Sequence, residues 1–397
     1  MSVQEDQGKL TGGKLIGGKL AGGAPTGRTA GLDRARLASH GALPLRSSSH
    51  TRSRRYAALD LGTNNCRLLI AEARGSGFKV VDGFSRIVRL GERLAADGVL
   101  SGPAMDRAIA ALKICADKLS GADITSARLV ATEACRRAAN GTAFTDRIRT
   151  ETGLDIEIVD RETEARLAVA GCAPLIDDDA EGVLLFDIGG GSSEIVWIDL
   201  TSRYHLSGAA LVRCIRAWTS LPVGVVTLAE RHGGTEVDER VFADMVADVR
   251  TMLDRIDPKG VLAEAVARGK IHLLGTSGTV TTLAGLFLGL KRYDRRQVDG
   301  TWLDHTQIGQ LIGQLLSMNF SERVANPCIG ADRADLVLAG CAILEAIRQR
   351  WPCERLRVAD RGLREGMLME LIEHDRLVRQ RSRRQRASAL AAAPTLA

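Results

Sequence analysis

Asp187-Ile188-Gly189-Gly190-Gly191-Ser192-Ser193, entered from the unbroken apolar run of residues 183–186, is the stretch on which the reading of this chain turns. A continuous apolar run of that kind is expected of a strand buried on both faces. The turn after it holds three glycines and two hydroxyl residues. Glycine lets the backbone come close to a ligand and adopt positive φ. Successive N–H groups in such a turn form an anion-binding concavity, and the hydroxyls add donors for phosphate oxygens. Strand character resumes over residues 194–198, so the unit is strand, phosphate-type turn, strand.

The same unit stands upstream. Residues 56–59 run into Asp60-Leu61-Gly62-Thr63-Asn64-Asn65, and residues 67–71 make the returning strand. With Asp60 aligned on Asp187 and Gly62 on Gly189, Leu68 falls on Ile195 and Leu69 on Val196. Two such hairpins predict two related domains facing one cleft, where ligand sites usually form. The copies differ informatively at one position, where Arg67 aligns with Glu194. A third apolar run, 271–274, enters Gly275-Thr276-Ser277-Gly278-Thr279. One such loop alone reads more readily as a plain tight turn. Three, each after an apolar strand and two in register, read as phosphate loops.

Working outward, residues 104–119, 162–170 and 334–350 have helical spacing, while 127–131 and 155–159 read as strands. The pattern is α/β with a sheet in each half. The expected division is a basic tail at 1–55, a first domain at 56–170, a second at 171–375, and a basic, Ala-rich tail at 376–397. The N-terminal tail repeats Gly-Gly-Lys-Leu and cannot bury a core.

The formal net charge is +6, but residues 1–55 carry +7 and residues 376–397 carry +6. The body between them is therefore −7, which argues against a nucleic-acid-binding surface on the folded part. No apolar run reaches membrane-spanning length and no secretory core is visible, so a cytoplasmic protein is expected. The eight cysteines form no C-x-x-C pair and read as small buried hydrophobes in a reducing compartment. Histidines 205, 232, 272 and 305 show no metal-ligand spacing.

The three loops resemble the two phosphate motifs and the third glycine motif of the actin, sugar kinase and heat-shock ATPase superfold. Further segments resemble the exopolyphosphatase and guanosine pentaphosphate phosphatase family. These are Ala131-Thr132-Glu133-Ala134-Cys135-Arg136 with Asn140, and Glu162-Thr163-Glu164-Ala165-Arg166-Leu167. Ser220-Leu221-Pro222 with Gly224 and Glu230, Arg333-Ala334-Asp335, and Gly362-Leu363-Arg364-Glu365-Gly366 extend the likeness over residues 56–372. The first loop departs from the family's usual Gly-Ser-Asn-Ser, with Thr63 keeping a hydroxyl and Asn65 replacing one by an amide. The chain resembles the family's short form, without an added helical C-terminal module.

The resemblance implies two related actin-like (ribonuclease H-like) domains with an interdomain cleft. It implies hydrolysis of a terminal phosphoanhydride of polyphosphate, or of guanosine pentaphosphate, with a kinase or ATPase of the same superfold as the more distant alternative. Glu164 matches the family's catalytic glutamate, with Glu162 the neighbour most easily confused with it. Glu194 matches a second acid that holds the water or a metal. Asp187, together with Glu194, is the expected magnesium-associated carboxylate. Asp60, Gly62, Thr63, Asn64, Gly189, Gly190, Gly191, Ser192, Ser193, Gly275, Thr276, Ser277 and Gly278 would cradle phosphate. Arg67, Arg136 and Arg333 would neutralise its charge. Each side chain also has a plainer reading: Glu164 as a solvated helix acid, and Arg67 and Arg136 as ion-pair partners. Asp335 and Arg364 read as structural. Expected partners are the phosphorylated substrate and, in solution, a second copy of the chain; neither membrane nor nucleic acid is expected.

Overall fold

The computed structural model describes residues 54–75, 77–201, 203, 206, 208–256 and 261–391. The repeat-bearing N-terminal segment and residues 392–397 lie outside the described residues. Five strands make a first sheet: β1 (Arg55–Leu61), β2 (Asn65–Arg74), β3 (Gly77–Ile87), β4 (Ile124–Ala131) and β5 (Glu157–Ile158). Their order is β3-β2-β1-β4-β5. Six strands make a second: β6 (Gly182–Ile188), β7 (Ser193–Asp199), β8 (Ile215–Leu221), β9 (Ile271–Thr276), β10 (Trp302–Asp304) and β11 (Arg355–Ala359). Their order is β10-β11-β9-β6-β7-β8.

Read from β8, the second sheet repeats the first, with β10 added at the far edge. In both sheets the entry strand pairs antiparallel with its hairpin partner and parallel with the strand on its other side. The registers match residue for residue: Asp60 lies opposite Arg67 and Leu61 opposite Cys66, as Asp187 lies opposite Glu194 and Ile188 opposite Ser193. The molecule is thus two related α/β domains, as the duplicated hairpin predicts. β1 and β6 are buried almost throughout because helices cover both faces.

Gly275 belongs to the strand β9, not to a loop. A Cβ there would lie 2.6 Å from the Phe186 ring, so the residue is small to admit an aromatic side chain of the neighbouring strand. All eight cysteines are free and buried, and among the described residues no helix is long and apolar enough to cross a membrane.

Two helices lie between the sheets. The first, Arg161–Cys172, is started by Asp160, whose side chain accepts from the Thr163 N–H at 2.7 Å. The second, Leu363–Ala391, runs on into the segment read from sequence as the C-terminal tail. They cross with no side chain between them. A Cβ on Gly171 would lie 2.0 Å from the Gly362 carbonyl oxygen, and one on Gly366 2.0 Å from that of Leu167. Leu167, Met367, Leu368 and Ile372 pack on Tyr56, Ala58 and Leu69 of the first sheet. Ala165, Ala168 and Val169 pack on Val183, Leu185 and Val196 of the second. Each buried Leu, Ile or Met contributes about 1.5–3 kcal/mol, so this crossing is a principal bond between the halves. The second helix is anchored further by Asp375, which accepts from the Tyr56 hydroxyl at 2.5 Å and from Arg54 at 2.7 Å.

Candidate active site

The three glycine turns converge on a cavity of about 130 Å³ between the domains. The first two are built alike: the Gly62 N–H donates to the Asn65 carbonyl and the Gly189 N–H to the Ser192 carbonyl, each at 2.9 Å. They also press on one another. A Cβ on Gly190 would lie 3.0 Å from Thr63 Cβ, and one on Gly191 would lie 2.9 Å from Thr63 Oγ1. The small residues admit the Thr63 side chain of the facing turn, with the Asn64 backbone nitrogen 3.2 Å from the same Gly190 position.

The second loop is held from behind. The leading N–H groups of a helix have no intrahelical partner; here those of Val225 and Val226, opening the helix Val225–His232, donate to the Gly189 and Gly190 carbonyls at 2.9 Å. The Ser193 hydroxyl donates to the Val223 carbonyl at 2.7 Å. The third loop ends in Ser277, whose side chain accepts from the Thr279 N–H at 3.1 Å and starts the helix Gly278–Phe287. The Arg333 guanidinium lies over this loop, with its Cζ 3.6 Å from where a Gly278 Cβ would be.

Facing the loops is a group of carboxylates. Glu164, on the first crossing helix, lines the cavity and accepts from an Arg136 Nη at 3.0 Å. Glu194 is 2 % exposed, and its Oε1 accepts from the Ser192 and Ser220 hydroxyls, each at 2.8 Å. Asp60 and Asp187 each stand one residue before the end of an entry strand. Asp60 Oδ1 is buried without a hydrogen-bond partner.

Burial sets the electrostatics. It pushes the Asp187 carboxyl up to about 8, helped by the Glu194 charge and opposed by Arg67. Burial, then the charge of Glu194, holds Glu164 well above the usual carboxylate range against the pull of Arg136. Glu194 is raised by burial despite its two serine donors. Asp60 is raised by burial against the opposing charges of Arg67 and Arg364. A concentration of raised carboxyls in one cleft is the mark of a site awaiting compensating charge or doing proton chemistry.

Of the residues singled out from sequence, Asp60, Gly62, Thr63, Asn64 and Arg67 of the first hairpin line the cavity. From the second domain Asp187, Gly189, Gly190, Ser192 and Glu194 do so, with Ser277, Gly278 and Arg333 completing the wall. Gly191, Ser193, Gly275, Thr276 and Arg136 stand outside the lining. Gly191 abuts Thr63, and Thr276 donates its hydroxyl to the Arg361 carbonyl at 2.6 Å. Arg136 differs most from expectation, because its guanidinium is spent on protein acceptors: Glu133, Glu164 and the Val159 carbonyl. Glu133, also on the wall, received no role from sequence. It stands at the first position of the helix Glu133–Arg137, where an acid is ordinary.

Beyond the cavity two contacts tie the domains across the cleft. Arg89 pairs with Asp335 at 2.9 and 3.2 Å, and the Arg93 N–H donates to Glu230 at 2.8 Å. Among the described residues no group of three or more His, Cys, Asp or Glu is arranged to hold a metal ion.

This cleft can be set beside known proteins. A guanosine-5'-triphosphate,3'-diphosphate pyrophosphatase of Aeromonas salmonicida is 27% identical over 330 residues, covering 82% of this chain and 62% of that protein. The chain thus spans less than two thirds of the length of such curated relatives. A solved exopolyphosphatase-like protein is 28% identical with a TM-score of 0.70, covering 80% of this chain and 98% of that one. An Aquifex aeolicus Ppx/GppA protein is 28% identical with a TM-score of 0.64, covering 81% of this chain and 98% of that one. The sequence model of the Ppx/GppA phosphatase family matches residues 69–375. With that match running from within β2 to beyond β11, over most of the chain, the chain belongs to the Ppx/GppA phosphatase family.

Proposed function

We propose that this protein hydrolyses the terminal phosphoanhydride of inorganic polyphosphate and releases orthophosphate. The observation that carries the reading is Glu164, a half-buried carboxylate with a raised pKa, on the cavity wall with both glycine turns and Glu194. Phosphoryl transfer asks little covalent chemistry of a protein; it needs a placed nucleophile and compensated charge.

In this reading the turns at Gly62 and Gly189 admit the terminal phosphate against the main chain. Arg67 and Arg333 offset its charge. Glu164 takes a proton from water as the water oxygen bonds to the terminal phosphorus. The bridging P–O bond breaks, and its electron pair stays on the oxygen of the shortened chain. Glu194, fixed by Ser192 and Ser220, orients the same water.

The donor set fits a divalent cation of the magnesium kind, which keeps most of its waters and takes one or two carboxylates. The unpartnered Asp60 Oδ1 and the raised Asp187 carboxyl, only partly offset by Arg67, are the observations that favour it. Asp187 and Glu194 would hold it, as a pair of carboxylates and not a cluster of three or more, and when bound it would supply positive charge to phosphate oxygens.

The test is orthophosphate release with magnesium, from long-chain polyphosphate, guanosine pentaphosphate and ATP in parallel. Release chiefly from polyphosphate is expected, with Glu164→Gln lowering kcat by about 10²–10⁴-fold. Preference for guanosine pentaphosphate, the chemistry named for the Aeromonas relative, would reassign the substrate and keep the site. Full activity in Glu164→Gln would overturn the mechanism.

A further inference from the structure

We propose that Glu133 is a positioning residue, which clamps Arg136 so that the guanidinium holds Glu164 in one orientation towards the cavity. The inference rests on the role given to Glu164 above.

Glu133 is 3 % exposed, and a buried carboxylate is retained only where it is well paired. Both its oxygens are engaged. Oε1 accepts from Arg161 at 3.0 Å, and Oε2 accepts from Arg136 Nε at 3.2 Å and Nη2 at 2.7 Å. The opposite Nη of Arg136 donates to the Val159 carbonyl at 2.6 Å, where β5 has ended. The remaining Nη2 hydrogen goes to Glu164 Oε2 at 3.0 Å. A guanidinium has five N–H donors in a rigid plane, and four are used here on acceptors in two helices and the segment between β5 and the second of them. Its plane is fixed before any ligand arrives.

Two consequences separate this role from a plain ion pair. First, Arg136 is not a free cation for substrate phosphate, so its loss acts on Glu164 and not on substrate binding. Second, Glu133 shares the Arg136 charge. Without that share, Arg136 pairs more fully with Glu164 and makes it a poorer proton acceptor. The charged groups about Glu164 are Arg136 and Glu133 on one side, Glu194 on the second sheet, and Asp60 on the first. Of these, only Glu133 and Glu164 hydrogen-bond to Arg136.

The experiment is a double-substitution cycle with Glu133→Gln, Arg136→Gln and both together. Steady-state kinetics are read on whichever substrate the wild type hydrolyses, and melting temperatures are taken alongside. Glu133→Gln should lower kcat about 10–100-fold, the range for loss of an outer partner that orients a reacting group, with KM changed less than about two-fold. In the Arg136→Gln background the same change should cost almost nothing, because coupled residues fail to add. Glu133→Asp keeps the charge but shortens the reach, and should fall between Gln and wild type. A folded Glu133→Gln protein with unchanged kcat, or losses that multiply across the cycle, would overturn the proposal while leaving the hydrolase reading intact. A rise in KM alone would show Arg136 to be a substrate contact and would also overturn it. A wild type inert towards all three phosphoanhydrides would sink the functional reading, and this inference with it.

Discussion

Asp187 shows what a single residue costs the fold for the sake of the site. Its carboxyl is buried and raised to about 8, whereas in an unfolded chain it ionises near ~3.9. Between those values the folded chain keeps a proton that the unfolded chain has released. Stability therefore falls as pH rises through that window. Asp187→Asn removes the effect. In chelator at pH 8 the variant should melt at least ~2 °C above wild type, and near pH 4 the two should coincide. An equal or lower melting temperature at pH 8 would show that neighbouring charges already compensate the buried acid. Asp60, Asp187 and Glu194 were legible in the sequence because they flank glycine turns at the ends of apolar strands. Glu133 was not, since an acid opening a helix signals nothing by itself, and its meaning lies in contacts with Arg136 and Arg161.

Among the elements, the two hairpins were the most readable and the crossing helices the least. The alignment of Asp60 on Asp187 carried the register of both sheets, since a strand pairing slipped by one would exchange buried and exposed faces. Gly275, standing between the apolar run 271–274 and Thr276-Ser277-Gly278, looked like the start of a loop; only the Phe186 ring on the neighbouring strand explains it. The glycines of the crossing are nearly 200 residues apart in sequence, and no local pattern announces that Gly171 meets Gly362. That contact makes a prediction for the pair. Gly171→Ala must push the helices apart against backbone, and overpacking of this kind costs about 1–3 kcal/mol. Urea denaturation should show that loss, whereas Gly98→Ala, at a positive φ of 70° with nothing within 4 Å, should show only its local backbone strain. A Gly171→Ala protein as stable as wild type would mean that the helices separate freely.

Across the whole molecule, the halves are joined by the crossing at one side of the cleft and by Arg89–Asp335 and Arg93–Glu230 at another. The Arg89–Asp335 pair is partly exposed, with side-chain exposures of 40% and 22%, and such pairs contribute ~0–1 kcal/mol. Asp335→Asn should therefore leave global stability within about 1 kcal/mol of wild type. Its effect belongs to the cleft: amide hydrogens of the turns at Gly62 and Gly189 should exchange faster, and KM should rise more than kcat falls. Unchanged exchange at both turns would show that the pair does not hold the cleft. Whole-chain charge was the sequence feature with least local meaning, because its positive excess belongs to the terminal stretches 1–55 and 376–397, whereas 56–375, which carries the site, is net acidic.

The bare backbone contact between the crossing helices has one more consequence. Helices that meet through side chains can slide, ratcheting from one packing to the next. Helices that meet carbonyl to glycine have no such ridges at the point of contact. The approach there sets how closely the helices lie, and with it the spacing of the halves whose two phosphate turns face each other.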